Sequence, residues 1–156
     1  MRFPKLPKAL LKTPPGYRKP RIADLRADLQ RLGEDIAEGY LQLVKENIET
    51  NAYGFENAPN TLRQKSGSTP LIDSGELVDS IYREGTSVSV KDTRRGDSPL
   101  TNLELAIVQE YGTADLHVPA RPVFRNTYRD YRPEAREQLE NFFKSHGKFT
   151  KPKKRK

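Results

Sequence analysis

The chain has 156 residues, 34% of them hydrophobic and 31% charged, with 12 prolines, no cysteine and a mean hydropathy of −0.85. This is enough for one domain with a modest core, and it excludes a disulfide framework, thiolate metal sites and sulfur redox chemistry. The net charge of +7 resides at the ends: residues 1–21 and 144–156 each carry seven Lys/Arg and no acid, which leaves residues 22–143 with 14 bases, 21 acids and a net −7, so two basic arms around an acidic body are expected rather than a folded basic groove.

Residues 1–21, with Pro4, Pro7, Pro14, Pro15 and Pro20 among lysines, read as an extended, flexible basic arm. The longest aliphatic run near the start is Ala9-Leu10-Leu11, so neither a secretory leader nor a membrane span is expected. From Ile22 the apolar residues Leu25, Leu29, Leu32, Ile36, Tyr40, Leu43 and Ile48 recur mostly every three or four positions. That period predicts one helix of about eight turns between Pro20 and Asn51. Its other face carries Arg26, Asp28, Arg31, Glu34, Asp35 and Glu38, which belong against water or a polar neighbour.

Gly54 to Pro70 reads as a long loop, with one helical turn at Thr61–Lys65, and its length makes it a candidate contact surface. Asp73 is placed to cap a short helix, with Glu76 reaching back to the cap. Ile81–Glu84 and Ser87–Lys91 read as strands joined by Gly85-Thr86, with Val88 and Val90 alternating with serines. Two strands are too few for a stable isolated sheet, so their edges call for partners. Ile81, Tyr82, Val88 and Val90 are therefore candidate contacts between copies, with Arg94 and Arg95 of the following polar loop displayed near a ring lumen or docking face. Leu71, Leu77 and Ile81 are expected either to dock the Ser-Gly-Glu-Leu turn on the first helix or to be simple core with no positional role.

Thr101 and Glu104 form a capping box that opens a helix, Leu103, Ile107 and Tyr111 share one of its faces, and Gly112 is placed to end it. His117 to Pro122 is extended, because each proline pushes its predecessor out of the helical region. Arg121, held extended there, is expected to make a forked pair with a carboxylate such as Glu110, within or between subunits. Phe124, Tyr128, Tyr131, Ala135, Leu139 and Phe142 then keep one helical phase, with Pro133 either kinking this helix, the favoured reading, or beginning a second. The expected class is α+β: a long N-terminal helix, a small antiparallel sheet and two further helices over residues 22–146, followed by a disordered basic tail at 147–156.

No catalytic, cofactor or metal site is expected. His117 lies near Asp115 and Glu110, but no third ligand stands at a recognisable spacing. There is no phosphate-binding glycine loop, nucleophile elbow or His-Glu-x-x-His helix. The C-terminal basic run reads either as a sequence-independent nucleic-acid contact through counterion release or as a solvated tail, and charge alone does not separate the two.

Four strings, in order, carry a resemblance. They are Thr61-Leu62 with Lys65, then Pro70-Leu71-Ile72-Asp73-Ser74-Gly75-Glu76-Leu77-Val78-Asp79-Ser80-Ile81, Glu110-Tyr111-Gly112-Thr113, and Val118-Pro119-Ala120-Arg121-Pro122-Val123-Phe124. Together they resemble the bacteriophage tail-completion and head-tail joining proteins, also grouped as gene-ten-like, tail-terminator or virion morphogenesis proteins, over about residues 22–143. The pattern departs in two places: at Val123, where a bulky aromatic is usual and Phe124 follows one step later, and in the loop after Tyr53, which lacks the tryptophan usual there. The resemblance implies a structural virion protein, assembled in the host cytoplasm, that forms a homo-oligomeric ring of typically six at the neck. Such a ring completes or terminates the tail tube, docks to the head connector or stopper protein, and has DNA passing through its lumen. Glu110, Arg121 and Phe124 lie in the resembling strings and join the candidate interface. The alternative is a nucleic-acid-binding protein acting through its basic termini.

Overall fold

The periodic apolar spacing that starts at Ile22 produces a single helix, α1, Ile22–Glu49. The structure, a computed structural model, describes residues 22–57, 71, 74–96, 98–114 and 117–146. The expectations for the N-terminal arm, the Thr61–Lys65 turn, the Asp73 cap and the tail from 147 lie outside these residues. The line that α1 buries is Ala37, Leu41, Val44 and Ile48, at 0–7% exposure, whereas Ile36, Tyr40 and Leu43 flank it half-buried. The expected stripe is thus shifted around the helix, because α1 packs against a helix on one flank and a hairpin on the other.

Four shorter elements and one long helix follow: α2 (Glu76–Ser80), β1 (Ile81–Glu84), β2 (Ser87–Val90), α3 (Asn102–Tyr111) and α4 (Val123–His146). The architecture is α+β, with one two-stranded antiparallel sheet among the described residues. α2 starts after Gly75, whose φ of +84° is in the left-handed region that suits glycine. In the hairpin Ile81 faces Val90 and Arg83 faces Val88. The alternation of a strand then puts these four on one side, against α1, where Ile81 and the two valines meet the core and Arg83 Nε bonds Glu38 at 3.0 Å. Val78 and Ile81 join Leu41, Val44, Ile48 and Val123 in the central cluster, with Leu71 packed on it. Leu77 is buried as well but outside that cluster, so the expected docking trio is carried by Leu71, Val78 and Ile81.

α3 opens with the capping box, the Thr101 side chain accepting from Glu104 N–H and the Glu104 carboxylate from Thr101 N–H. It stops at Gly112, whose φ of +73° suits glycine and where a Cβ would lie 2.8 Å from the Val118 carbonyl oxygen. α4 runs unbroken through Pro133, so no second helix begins there. Pro133 is exposed, and the Arg129 carbonyl that it leaves without an N–H partner sits on the same solvent side. α1 and α4 lie antiparallel: Asn47 Nδ2 donates to Thr127 Oγ1 at 2.9 Å, Tyr40 meets Tyr131, and Asp28 lies 3.6 Å from His146. Thr127 is fully buried, so the Asn47 bond sets the register between the two long helices.

Candidate functional site

A helix with apolar residues at 103, 107 and 111 ordinarily turns them inward, yet α3 does the reverse. Its buried residues are Asn102, Ala106 and Glu110, while Ile107 and Tyr111 are 51% and 66% exposed. Two polar anchors hold this orientation. Asn102 donates from its side chain and its backbone to Thr93, both at 2.9 Å. Glu110 accepts from the Phe124 and Arg125 backbone N–H groups, each at 3.0 Å, and from Arg125 Nε at 2.9 Å. Those N–H groups belong to the first turn of α4, which has no intrahelical acceptors, so the carboxylate caps a helix fourteen residues away and sits at the positive end of its dipole.

The outward face of α3, the edge of β2 and the start of α4 enclose an apolar trough. It consists of two adjoining clefts of about 430 and 590 Å³ that share Tyr40, Val88 and Tyr128. Leu103, Ile107, Tyr111 and Phe124 wall the first, and Ile36, Tyr131, Ala135 and Leu139 the second. The two-residue hairpin turn makes Glu84–Ser87 and Tyr82–Ser89 the bonded pairs, so the N–H and C=O groups of Val88 and Val90 point away from β1. Tyr128 is 59% exposed at the junction, edge-on to Tyr40 with ring centres 6.4 Å apart. Arg125 lies over the Tyr111 ring at 4.8 Å and closes one end.

Tyr40 forms the floor, its hydroxyl donating to the Phe124 carbonyl at 2.9 Å. Burial, reinforced by the Glu110 charge, pushes its pKa from 10.0 up to about 12. Because the folded value is the higher one, Tyr40 contributes stability fully below pH 10, and that contribution is lost as pH rises toward about 12. In alkaline unfolding the wild type is accordingly expected to lose more stability across that window than Tyr40→Phe, which has no phenol to titrate there. Equal losses for the two proteins would contradict the assignment.

Of the residues singled out by sequence, Val88, Val90, Glu110 and Phe124 gather at the trough. Ile81 does not: at 1% exposure it is part of the core. Tyr82 lies on the outer face of the hairpin, with Lys91 Nζ 5.9 Å from its ring centre. Arg94 is exposed beside Thr101, but Arg95 is not displayed; its side chain is only 16% exposed, 3.7 Å from Glu76, with Nε unbonded. Arg121 does not pair with Glu110, whose oxygens are taken by α4. It is buried instead, with its two terminal nitrogens bonding Gln109 Oε1 and the Glu56 carbonyl at 2.8 Å, and burial lowers its pKa. The missed residues are Ile107, Tyr111 and Tyr128, and a run of arginines at 125, 129, 132 and 136 whose spacing of four, three and four was legible as one helix face.

Among the described residues no three His, Asp or Glu side chains converge as a metal cluster, and no helix is long and apolar enough to cross a membrane. Compared with models of known families, with curated proteins and with solved structures, the chain matches none.

Proposed function

We propose that this protein is a structural subunit that self-associates into a ring, and that the ring sits at the neck of a bacteriophage particle, completing the tail tube and joining it to the head connector. The observation that carries the first half is the trough. Ile107, Tyr111 and Tyr128 stand exposed around an apolar floor, beside a strand edge with outward-pointing backbone groups. A lone copy keeps that surface wet, and a neighbouring copy removes it from water and gives the edge a partner. The second half rests on the Ser-Gly-Glu-Leu, Glu-Tyr-Gly-Thr and Pro-Ala-Arg-Pro strings, which resemble those of tail-completion proteins. In that setting the tail tube, the connector or stopper protein and the DNA in the lumen are the partners, and the virion is the location.

Sedimentation velocity over a range of concentrations tests the assembly directly. The wild type is expected to form closed oligomers of several copies, and Ile107→Asp, at an exposed position, to sediment as a monomer with stability changed by no more than about 0.5 kcal/mol. A wild type that stays monomeric at every concentration overturns the reading.

A further inference from the structure

The arginine run on α4 has a counterpart on α1. Arg125, Arg129, Arg132 and Arg136 occupy one exposed face of α4, along the lip of the trough. Arg125 is held by Glu110, Arg129 and Arg136 lie 3.0 and 3.2 Å from the exposed Asp130 and Glu140, and Arg132 has no ion pair among the described residues. On α1, positions 24, 28, 31 and 35 repeat the same intervals with Asp24, Asp28, Arg31 and Asp35, and the face continues through Glu38, Glu46 and Glu49. Its bases are Arg31, 3.5 Å from Asp28, and Lys45, whose charge acts on Glu38; Glu38 is also held by Arg83, and Asp28 lies 3.6 Å from His146, which leaves the face acidic on balance. This acidic face is turned away from the buried line Ala37, Leu41, Val44 and Ile48. From Asp24 to Asp35, as from Arg125 to Arg136, the rise is about 16 Å.

We infer that the arginine face of α4 in one copy receives the acidic face of α1 in the next. The inference rests on the self-association proposed above and names its two surfaces. Used one per neighbour, the two surfaces run head to tail, the arrangement that closes into rings, whereas reciprocal use of both by one neighbour stops at a two-fold dimer; the size of the wild-type oligomer tells the two apart. Duplex DNA fits the arginine face less well. Asp130 and Glu140 stand among the arginines and repel phosphate, and a phosphate backbone has no apolar surface to cover Tyr128, Ala135 and Leu139 on the adjoining trough. A neighbouring helix supplies both charge and carbon.

Charge reversal in two places tests this. Arg132→Glu with Arg136→Glu makes the α4 face acidic, and Asp35→Lys with Glu46→Lys makes the α1 face basic; all four side chains are exposed. Each double variant alone is expected to self-associate at least about tenfold more weakly than wild type, since like charges then meet. An equal mixture regains wild-type oligomers, because each variant's altered face suits the other's. A misfolded variant does not recover on mixing, so recovery reads the contact and not the fold. Variants that each assemble like wild type overturn this contact and leave the ring reading standing, as do variants that dissociate and stay apart when mixed. A monomeric wild type removes both. Arginine variants that keep wild-type assembly but lose affinity for a short DNA duplex assign the face to nucleic acid and overturn the inference.

Discussion

Glu110→Ala is expected to lower the stability of the fold by about 3 kcal/mol, a fall in melting temperature of roughly 6–12 °C for a chain of this size, read by calorimetry or urea titration. The size follows from what the carboxylate holds together. At 5% exposure it joins α3 to α4 through the Phe124 and Arg125 N–H groups and through Arg125 Nε. Losing a cap alone costs about 0.5–2 kcal/mol, and here a side-chain ion pair goes with it. The Arg125 guanidinium, which also bonds the Glu110 carbonyl at 2.7 Å, is then left with that hydrogen bond and the Tyr111 ring. Glu110→Gln keeps the volume and one good acceptor, so about half the loss is expected. An unchanged urea midpoint in Glu110→Ala would show that the link between α3 and α4 is not structural. The assembly readout should follow, because Arg125 and Tyr111 together form one end of the trough.

Gly39→Ala is the second large effect, and its sign is the informative part. In the middle of an ordinary helix this change stabilises by about 1 kcal/mol. Gly39 sits in the middle of α1, but a Cβ there would fall on the Tyr131 hydroxyl and only 3.1 Å from its ring carbon Cζ. Tyr131, on α4, is 7% exposed and packs against Tyr40, so a retreat of its ring into the adjoining cleft gives up that contact. We therefore expect a net loss of about 1–3 kcal/mol from overpacking. Tyr131→Phe removes the atom that collides first, so in that background the cost should shrink by more than about 1 kcal/mol, a coupling measurable in a double-mutant cycle. A Gly39→Ala protein that melts above wild type would mean that α1 and α4 are not this close.

Both predictions turn on contacts that join residues far apart in the chain, and that is where sequence reading stops. α1 was legible because each of its apolar residues repeats a period set by the helix itself. The hairpin was legible from Val88 and Val90 alternating with serines around Gly85-Thr86, and α3 from Thr101, Glu104 and Gly112. In each case the signal and the structure it specifies lie within a turn or two. The facing of α3 was not legible. Leu103, Ile107 and Tyr111 form a regular apolar line, and nothing within ten residues says that Glu110, on the other side, will be drawn inward by the open end of a helix that has not yet begun.

Arg121 illustrates the same boundary. Its place between Ala120 and Pro122 marked it as a residue to follow, but its partners are Gln109, next to the expected Glu110, and the Glu56 carbonyl, 65 positions upstream. The burial of Arg95 against Glu76 and the closeness of Gly39 to Tyr131 belong to the same group.

By itself, then, the amino-acid order determined which segments are helix or strand, where most of them begin and end, that the class is α+β, and that charge divides into basic ends and an acidic middle. The packed structure alone decided which face of each helix is inside, which carboxylate caps which helix, and that an apolar trough lined with arginines lies open on one side. The reason is one of range: hydrogen-bond and side-chain periodicities act over three to five residues, whereas burial is settled only when elements more than ten and up to about ninety residues apart compete for the same surface.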